Sequence, residues 1–281
     1  PDSWKTSEIR PIPKKGDLKK IENYRPISLL ENLRKLYERV LEKIILAQMD
    51  HLCDEQGGFR QARSTLDQAL ILHELIDAFK KKFKKAPTLA FLDIKAAYDT
   101  VDRQILFTKC IKFGISEQTV ENLRQLFDFN KAFVKINEKN TGTFNLKSGV
   151  QQGSIISPLL YSIFIDGIRD CLQSVGCVET SEPPKSLQEM LRKKERLNLL
   201  LYADDIVIFG KDLQEVQKLL DLAQKYADEN HFEFNAKKCA FIAPGNLGSL
   251  SIKGLRIEKV KSFNLLRSLE GRLSFIHFAA L

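Results

Sequence analysis

The sequence predicts an α+β fold, in which short apolar strands, several of them in antiparallel hairpins, pack against amphipathic helices. Helical and strand-like patterns interleave along the 281 residues, short strands recur in pairs around turn residues, and 43% of the residues are hydrophobic. A chain of this length and composition can bury a substantial core, either as one large domain or as two small ones.

The N-terminal third predicts extended segments followed by two helices. Its opening part is rich in Pro and Lys, which favours extended chain and turns. From Asn32 apolar residues recur with a helical period, so a helix is predicted to about Leu52. A second helix should begin near Ser64, with Asp67 in its first turn. Its predicted core-facing side chains are Leu66, Ala69, Leu70, Leu75, Ile76 and Phe79.

The middle of the chain predicts a buried strand, two helices and a hairpin. "TLAFLDI" reads as the strand, and helices are predicted over 102–113 and 117–127. The segment 131–146 predicts a hairpin that turns at Asn140-Thr141-Gly142. Ser157 before Pro158 predicts the cap and first position of a further helix.

The C-terminal third predicts an insertion, a helix and two strands. Residues 178–196 combine a Pro-Pro pair with mixed charge and predict an exposed insertion. Asp212 and Glu215 predict a capping box for a helix that ends near Asn230. "HFEFN" and "CAFIA" should then form two short strands.

Charge and cysteine content narrow the class of protein. The formal charge of +8 and the pI near 9.1 favour a polyanionic partner, either nucleic acid or an acidic membrane. The five cysteines lack the spacing of a zinc site or a disulfide framework, so a reduced intracellular setting is expected. Apolar runs fall short of the roughly 20 residues that a membrane span needs, so no membrane-spanning segment is expected.

Adjacent carboxylates interrupt the apolar run "LLLYADDIVIF". The run divides into two strand-length halves, which predicts a hairpin with Asp204 and Asp205 at or beside its tip. A solvent-facing turn without chemistry is the alternative. Asp93 also ends a buried strand, and carboxylates from separate strands at one sheet end repel each other unless a cation binds. Oxygen ligands without a histidine favour Mg²⁺, and two such ions are typical of phosphoryl transfer.

Three ordered blocks, "FLDIKAAYDTVDR", "GVQQGSIISPLLYSIFIDGI" and "LNLLLYADDIVIFG", resemble the successive motifs of reverse transcriptases, particularly those of non-LTR retrotransposons. "IRPIPKKGD", "NYRPISLL" and "GGFRQARSTLDQALIL" are similar to blocks upstream in the same family. The resemblance implies an RNA-directed DNA polymerase with a right-hand architecture, in which an antiparallel palm sheet packs on helices. It places the fingers at 1–90 and 114–148 and the palm at 91–113 and 149–262.

The resemblance also implies roles for residues at matching positions. Asp93, Asp204 and Asp205 match the metal-binding carboxylates, which bind two Mg²⁺ ions or, alternatively, Mn²⁺. Lys238 matches a lysine that protonates departing pyrophosphate, although a solvated surface lysine is a close competitor. The expected dNTP-binding residues are Lys14, Arg25, Ile94, Tyr98 and Gln152, and the Ile94 carbonyl is expected to complete a metal shell. Residues expected to contact nucleic acid are Phe59, Arg60, Arg63 and Gly153.

Several of these residues can also be explained by an ordinary structural role. Tyr98 should lie beneath the incoming sugar and exclude a 2′-hydroxyl, but an aromatic packed at a strand-to-helix corner gives the same pattern. Taken alone, Lys14 and Arg25 would be ordinary surface cations. Asp99 and Asp102, close to Asp93, are interpreted as helix-cap and first-turn residues rather than metal ligands.

The likeness fails beyond Lys261, where 263–281 forms an atypical tail and no thumb is expected. The resemblance implies as partners an RNA template, a DNA primer, dNTPs and the rest of a retroelement polyprotein, with no membrane, and it implies a location in the nucleus or the cytoplasm. The chain is then either a fragment or a decayed copy. The main alternative function is that of a binding-only descendant, a basic RNA-binding domain without catalysis. An intron maturase is a third possibility, but the residues of the matching motifs are more similar to those of non-LTR elements.

Overall fold

The computed structural model describes residues 1–14, 16–175, 197–245, 248–265 and 276–279. The predicted insertion at 178–196 lies outside these ranges, as does much of the predicted tail at 263–281. The chain forms two compact units, the first from Pro1–His51 with Tyr98–Phe164 and the second from Leu52–Ala97 with Ile165–Leu281. These boundaries differ from those expected for fingers and palm, and those two names stay predictions.

The first unit contains a mixed sheet. Its strand order is β2-β1-β4-β5, and β6 also pairs with β4. The strands are β1 (Thr6–Pro13), β2 (Tyr24–Leu29), β4 (Lys131–Ile136), β5 (Lys139–Asn140) and β6 (Phe144–Asn145). Strands β1 and β2 are antiparallel, whereas β1 and β4 are parallel. The predicted turn at 140–142 is wrong: Ile136 pairs with Lys139, so the hairpin turns at Asn137, whose φ of 53° suits the left-handed tolerance of Asn.

Helices pack beside this sheet. They are α1 (Asn32–Gln48), α3 (Arg103–Lys112), α4 (Glu117–Phe127) and the start of α5 (Ser157–Asp166). Asp102 caps α3 as predicted, because its carboxylate accepts from the N–H groups of Gln104 and Ile105. Asp99 precedes the cap and is not a first-turn residue. The Ser157 hydroxyl is buried and makes no hydrogen bond within the described chain, so it does not cap α5.

Helix α1 exposes part of its apolar stripe and buries the rest, Leu41 and Ile45, together with two charged residues. Leu33 is 67% exposed and Leu36 is 62% exposed, whereas Arg34 and Glu38 are almost completely buried. The helix prediction is confirmed, except that it ends at Gln48. The unusual face orientation arises because Arg34 and Glu38 form an ion pair whose remaining polar atoms also have partners.

The second unit contains a five-stranded sheet in the order β12-β9-β3-β8-β7. The strands are β3 (Thr88–Leu92), β7 (Leu199–Tyr202), β8 (Asp205–Gly210), β9 (Ala240–Ile242) and β12 (Glu258–Lys259). Its helices are α2 (Thr65–Phe83), α6 (Ile168–Leu172) and α7 (Leu213–Glu229). The smaller hairpins pair β10 (Ser251–Ile252) with β11 (Leu255–Arg256) and β13 (Ser262–Leu265) with β14 (Ile276–Ala279). The predicted strand "HFEFN" is reduced to one bridge between Ile94 and Phe234.

Helix α2 covers one face of this sheet. Leu72, Leu75 and Phe79 pack against Leu89 and Phe91 of β3 in one buried cluster. The predicted start is confirmed, since Ser64 and Asp67 form a reciprocal capping box. Leu66 and Leu70 are exposed rather than core-facing, so the buried stripe of α2 is narrower than its apolar stripe.

Two buried cysteines should be chemically inert in the folded protein. Cys110 and Cys239 are at most 1% exposed, and burial raises their thiol pKa values to about 12 and about 11. Both remain protonated at mildly alkaline pH, and the thiolate is the reactive form. We expect iodoacetamide to leave them unmodified until urea unfolds the chain, as measured by peptide mass spectrometry. Modification of either thiol at the rate of a free cysteine in native protein would contradict this.

No helix in the described part of the chain is long and apolar enough to cross a membrane.

Candidate active site

The acidic run forms the predicted hairpin. Its ladder runs from Leu199 opposite Ile208 to Tyr202 opposite Asp205, which leaves Ala203 and Asp204 as a two-residue loop. Both strands are almost entirely buried, whereas Asp204 is exposed and Asp205 is half-buried. Ala203 has a φ of 57°, in the left-handed region that two-residue hairpin turns require.

Asp93 lies at the same end of the sheet. It directly follows β3, whose last ladder pair with β8 is Leu92 opposite Ile206. One further step in this register places Asp93 opposite Asp205. Directly opposed residues of an antiparallel pair share a face, with Cβ atoms about 4.5–5.5 Å apart. The sheet therefore brings three carboxylates, from two separate stretches of chain, to one end.

The segment from Glu233 to Cys239 holds Asp93 by its backbone. The Asn235 N–H donates to the Asp93 carbonyl at 2.8 Å, and the Lys95 N–H donates to the Glu233 carbonyl at 2.9 Å. The Asp93 N–H points to the sulfur of Cys239 at 3.4 Å. These contacts settle the position of Asp93 without using its carboxylate, which is 39% exposed.

Lys238 is brought to Asp93 by the same segment. Its N–H donates to the Asn235 carbonyl at 2.8 Å, which closes a turn. The Lys238 Nζ atom lies 3.9 Å from Asp93 Oδ2, and the lysine side chain is 65% exposed. An exposed ion pair of this kind contributes about 1 kcal/mol or less to stability. The contact matters for the geometry of the site, because it places an ammonium group beside the Asp93 carboxylate.

The side chains of the described residues do not form a ready-made metal coordination site. Across the described ranges, no group of three or more His, Cys, Asp or Glu side chains stands in an arrangement that could hold a metal ion. The Asp93 carboxylate instead faces the Lys238 ammonium. The oxygen donors themselves are of the kind that Mg²⁺ prefers. Ile94, whose carbonyl was expected at the metal, is buried and bridges to Phe234.

Gln56 holds the other side of the hairpin, and sequence reasoning missed it. Its side chain is completely buried, and its Oε1 atom accepts from the Ala203 N–H at 3.1 Å and from the Gly58 N–H at 2.8 Å. The contact joins residues 147 positions apart. The sequence signal for Gln56 is a polar residue next to Gly57-Gly58, but this signal does not show that its partner is Ala203.

The predicted nucleic-acid residues of this unit lie just after Gln56. Phe59 is 48% exposed and has a φ of 57°. Arg60 donates to the Cys53 carbonyl at 2.8 Å, and Arg63 pairs with Asp54 at 2.8 Å. Both guanidinium groups thus organise their own loop, and their contact with nucleic acid stays a prediction.

The first unit carries Gln152 and Gly153 on a firmly held loop. The Gln152 carbonyl accepts from the Ser28 N–H at 2.6 Å. Gly153 has a φ of 124°, and a Cβ atom there would lie 2.3 Å from the Ser28 carbonyl oxygen. Glycine is therefore required at position 153 because strand β2 lies so close to it. The prediction gave a different reason for this glycine, namely close approach of the backbone to template and primer.

A buried ion pair anchors the same loop. Arg34 Nε lies 3.0 Å from Glu38 Oε1, and both side chains are at most 1% exposed. Glu38 Oε2 accepts from the Ser154 hydroxyl at 2.9 Å and from the Ile155 N–H at 2.8 Å. Arg34 also donates to the Gln151 carboxamide at 2.6 Å. The two charges on α1 thereby position residues on both sides of Gln152.

The remaining predicted nucleotide-binding residues also belong to the first unit. The Tyr98 ring stacks on Tyr161, with centroids 5.1 Å apart and planes at 8°. The loss of hydration raises the pKa of the neighbouring Asp99 carboxyl, and the positive charge of Lys14 opposes this rise. Lys14 therefore stands near Asp99, while its Nζ atom donates to the Glu22 carbonyl at 3.4 Å. Arg25 lies on β2 opposite Ile12.

Comparison with known protein families gives a match over nearly the whole chain. The family described as "Reverse transcriptase (RNA-dependent DNA polymerase)" matches residues 12–266. This range includes every residue singled out above as a candidate for catalysis, nucleotide binding or nucleic-acid contact.

Individual relatives are proteins of transposable elements. The chain is 31% identical to a probable RNA-directed DNA polymerase from transposon BS of Drosophila melanogaster, over 74% of this chain and 22% of that protein. It is 27% identical to the transposon TX1 uncharacterized 149 kDa protein of Xenopus laevis, over 88% of this chain and 18% of that protein. The chain thus spans about a fifth of the length of these relatives.

Solved structures show the same fold. Apo telomerase from Candida tropicalis, truncated from its C-terminal domain, matches with a TM-score of 0.56 and 18% identity, over 90% of this chain and 53% of that chain. Telomerase from Candida albicans matches with a TM-score of 0.55 and 14% identity, over 91% of this chain and 45% of that chain. The α+β class is confirmed by the sheets and helices of the structure and by these matches.

Proposed function

This chain belongs to the reverse transcriptase family, and from that we propose that it forms the catalytic core of an RNA-directed DNA polymerase. The proposed reaction adds a dNTP to the 3′-hydroxyl of a DNA primer, opposite an RNA template, and releases pyrophosphate. The observation that carries the proposal is the meeting of Asp93 with Asp204 and Asp205 at one end of the second unit's sheet. Four of the five strands of this sheet, β7, β8, β9 and β12, lie in the range 149–262 that was predicted for the palm.

The three carboxylates would hold divalent cations. Their oxygens are hard ligands, and their crowding at one sheet end is unfavourable without positive charge. When bound, a pair of Mg²⁺ ions, or Mn²⁺ in their place, supplies activation of the primer hydroxyl and neutralisation of charge on the phosphates. Asp204, the most exposed of the three, can turn toward Asp93 without disturbing the core, because the loop that carries it lies at the end of the ladder.

Lys238 is suited to act on the leaving group. Its ammonium lies beside Asp93 and is mostly exposed, so the side chain can move to a phosphate without breaking a buried contact. A lysine presents its charge as a compact ammonium whose proton can be given up. We assign Lys238 the transfer of a proton to the departing pyrophosphate.

The first unit would bind the nucleotide. Lys14 and Arg25 bind the triphosphate in this proposal, as a point charge and a bidentate fork respectively. Tyr98, whose ring is held in a stack with Tyr161, lies under the sugar and disfavours a 2′-hydroxyl. Gln152 contacts the base pair or sugar from a loop that the Arg34 and Glu38 network keeps in place.

The proposed macromolecular partners are an RNA template, a DNA primer and the rest of a retroelement polyprotein. The charge of +8 supports binding to nucleic acid. In the second unit Phe59 offers an exposed ring for stacking on a base, and Arg60 and Arg63 border it. These contacts should weaken steeply as salt concentration rises.

The test is primer extension by the purified chain. An oligo(dT) primer on poly(rA), supplied with dTTP and Mg²⁺, should be lengthened, and UTP should be a much poorer substrate than dTTP. Omission of the divalent ion or addition of EDTA should stop the reaction. Tight, salt-dependent RNA binding without extension in either Mg²⁺ or Mn²⁺ would instead support a binding-only descendant of the family.

A further inference from the structure

Gln56 occupies a completely buried position between the Gly-Gly loop and the carboxylate hairpin. The oxygen of its carboxamide accepts two backbone hydrogen bonds, one from Gly58 in its own loop and one from Ala203 in the hairpin turn. Ala203 directly precedes Asp204, so one hydrogen bond joins Gln56 to the residue beside the most exposed carboxylate.

The hairpin turn needs this acceptor. The ladder closes at Tyr202 and Asp205, which leaves the Ala203 N–H outside it. Ala203 is 7% exposed, so water does not replace a missing partner, and a buried unpaired N–H is unfavourable. Its φ of 57° is also unfavourable for a residue with a Cβ atom and persists only where surrounding contacts require it. The Gln56 oxygen is such a contact.

The chain around Gln56 docks on the same strand edge. The Gly57 N–H donates to the Leu201 carbonyl at 2.9 Å, and the Leu201 N–H donates to the Glu55 carbonyl at 3.0 Å. A Cβ atom on Gly58 would lie 2.2 Å from the Ala203 nitrogen. The turn is therefore contacted by β8 on one side and by Glu55–Gly58 on the other. Movement of this loop would move Asp204.

The other end of the Gln56 side chain makes no compensating contact. Its Nε2 atom is buried and has no hydrogen-bond partner within the described residues. A buried unsatisfied donor destabilises a fold, and this cost is offset here by the two backbone hydrogen bonds that the carboxamide oxygen accepts. The carboxamide oxygen, rather than packing, is what glutamine contributes here.

We propose that Gln56 is a positioning residue for nucleotide addition, whose carboxamide oxygen orients the turn that carries Asp204. This inference rests on the proposed polymerase function. Gln56 touches neither substrate nor reacting atoms; it acts by keeping Asp204 in reach of Asp93 and Asp205. Displacement of a reacting group by about 1 Å can lower the rate by about 10²-fold.

The test compares Gln56→Met with Gln68→Met. Gln68 is a second buried glutamine in the same unit, and its Oε1 atom also lacks a hydrogen-bond partner within the described chain. Its side chain packs against Gly57 of the same loop, but the acceptor of the Ala203 N–H is Gln56, so Gln68→Met tests packing at the loop without removing that acceptor. In primer extension, Gln56→Met should lower kcat by about 10- to 100-fold. The KM for dTTP should change little, because the nucleotide-binding residues are unaltered. Gln68→Met should leave kcat unchanged.

Hydrogen exchange supplies a readout that does not depend on activity. Exchange of the Ala203 amide should accelerate at least about tenfold in Gln56→Met, and protection elsewhere in the sheet should persist. Gln56→Glu, which keeps an acceptor oxygen, should restore protection of that amide. Gln68→Met should leave it protected.

The outcomes separate this inference from the function on which it rests. Unchanged protection of the Ala203 amide in Gln56→Met, or equal loss of kcat in Gln68→Met, would overturn the positioning role. Absence of extension by the unaltered protein would overturn the proposed function and the effect on kcat together. Loss of amide protection in Gln56→Met alone would still support control of the turn by Gln56.

Discussion

Replacing Asp204 by Asn should reduce the rate of dNTP addition by about three orders of magnitude, because several kcal/mol of charge stabilisation in the transition state depends on the carboxylate. The substitution keeps the size of the side chain and its tolerance for a turn. It also removes one of three like charges crowded at the sheet end, so the free energy of unfolding should stay equal or rise slightly. Primer extension and urea unfolding on the same preparation measure both effects.

Asp221→Asn is the matched control. Asp221 is exposed on α7 and interacts with Gln217 one helical turn away, so the variant has the same change in net charge at a site remote from the hairpin. It should retain full activity and unaltered stability. Undiminished extension by Asp204→Asn would refute the assigned role of Asp204, and a similar loss in Asp221→Asn would mean that net charge, rather than the site, controls the rate.

Replacing Arg34 by Met should destabilise the first unit by about 3–5 kcal/mol, because the buried Glu38 carboxylate is left without its counter-charge. Arg34 also donates to the carbonyl of Trp4, the single tryptophan of the chain. Trp4 belongs to the first unit and its ring contacts that of Tyr37. Tryptophan fluorescence during urea unfolding therefore reports on the unit in which the pair lies.

Two further variants test whether the loss of stability comes from the unpaired buried charge. Arg39→Met breaks an ion pair with Glu42 on the same helix, but Arg39 is 57% exposed, so the cost should be about 1 kcal/mol or less. The double variant Arg34→Met with Glu38→Leu removes both buried charges and should recover part of the stability. Recovery should be incomplete, since Ser154 and the Ile155 N–H lose their acceptor. Equal effects of Arg34→Met and Arg39→Met would contradict the account.

Local sequence signals predicted those parts of the fold that depend on neighbouring residues. The Ser64 capping box, the Asp102 cap and the hairpin around Asp204 each arise from a few adjacent side chains. The order of carboxylate motifs also anticipated that Asp93 and the hairpin would share a sheet end, since each acid follows or interrupts an apolar strand.

Features that depend on distant partners were not predictable in this way. The apolar period of α1 predicted a helix but gave no sign of buried charges, yet Arg34 and Glu38 are buried because the loop around Ser154 supplies their hydrogen-bond partners. The role of Gln56 depends on Ala203, far along the chain. Gly153 was expected to admit nucleic acid, whereas the structure requires glycine there because Ser28 approaches. A single sequence does not contain these pairings.

The central claim is that Asp93, Asp204 and Asp205 together bind the divalent cations of nucleotide addition. The most direct test is anomalous diffraction from crystals of the protein with template, primer and a non-hydrolysable dNTP, soaked in Mn²⁺. The account predicts manganese peaks about 2.0–2.2 Å from carboxylate oxygens of Asp93 and Asp204, with the nucleotide phosphates completing the shell. Manganese bound elsewhere, with the Asp93 carboxylate still facing Lys238, would contradict it.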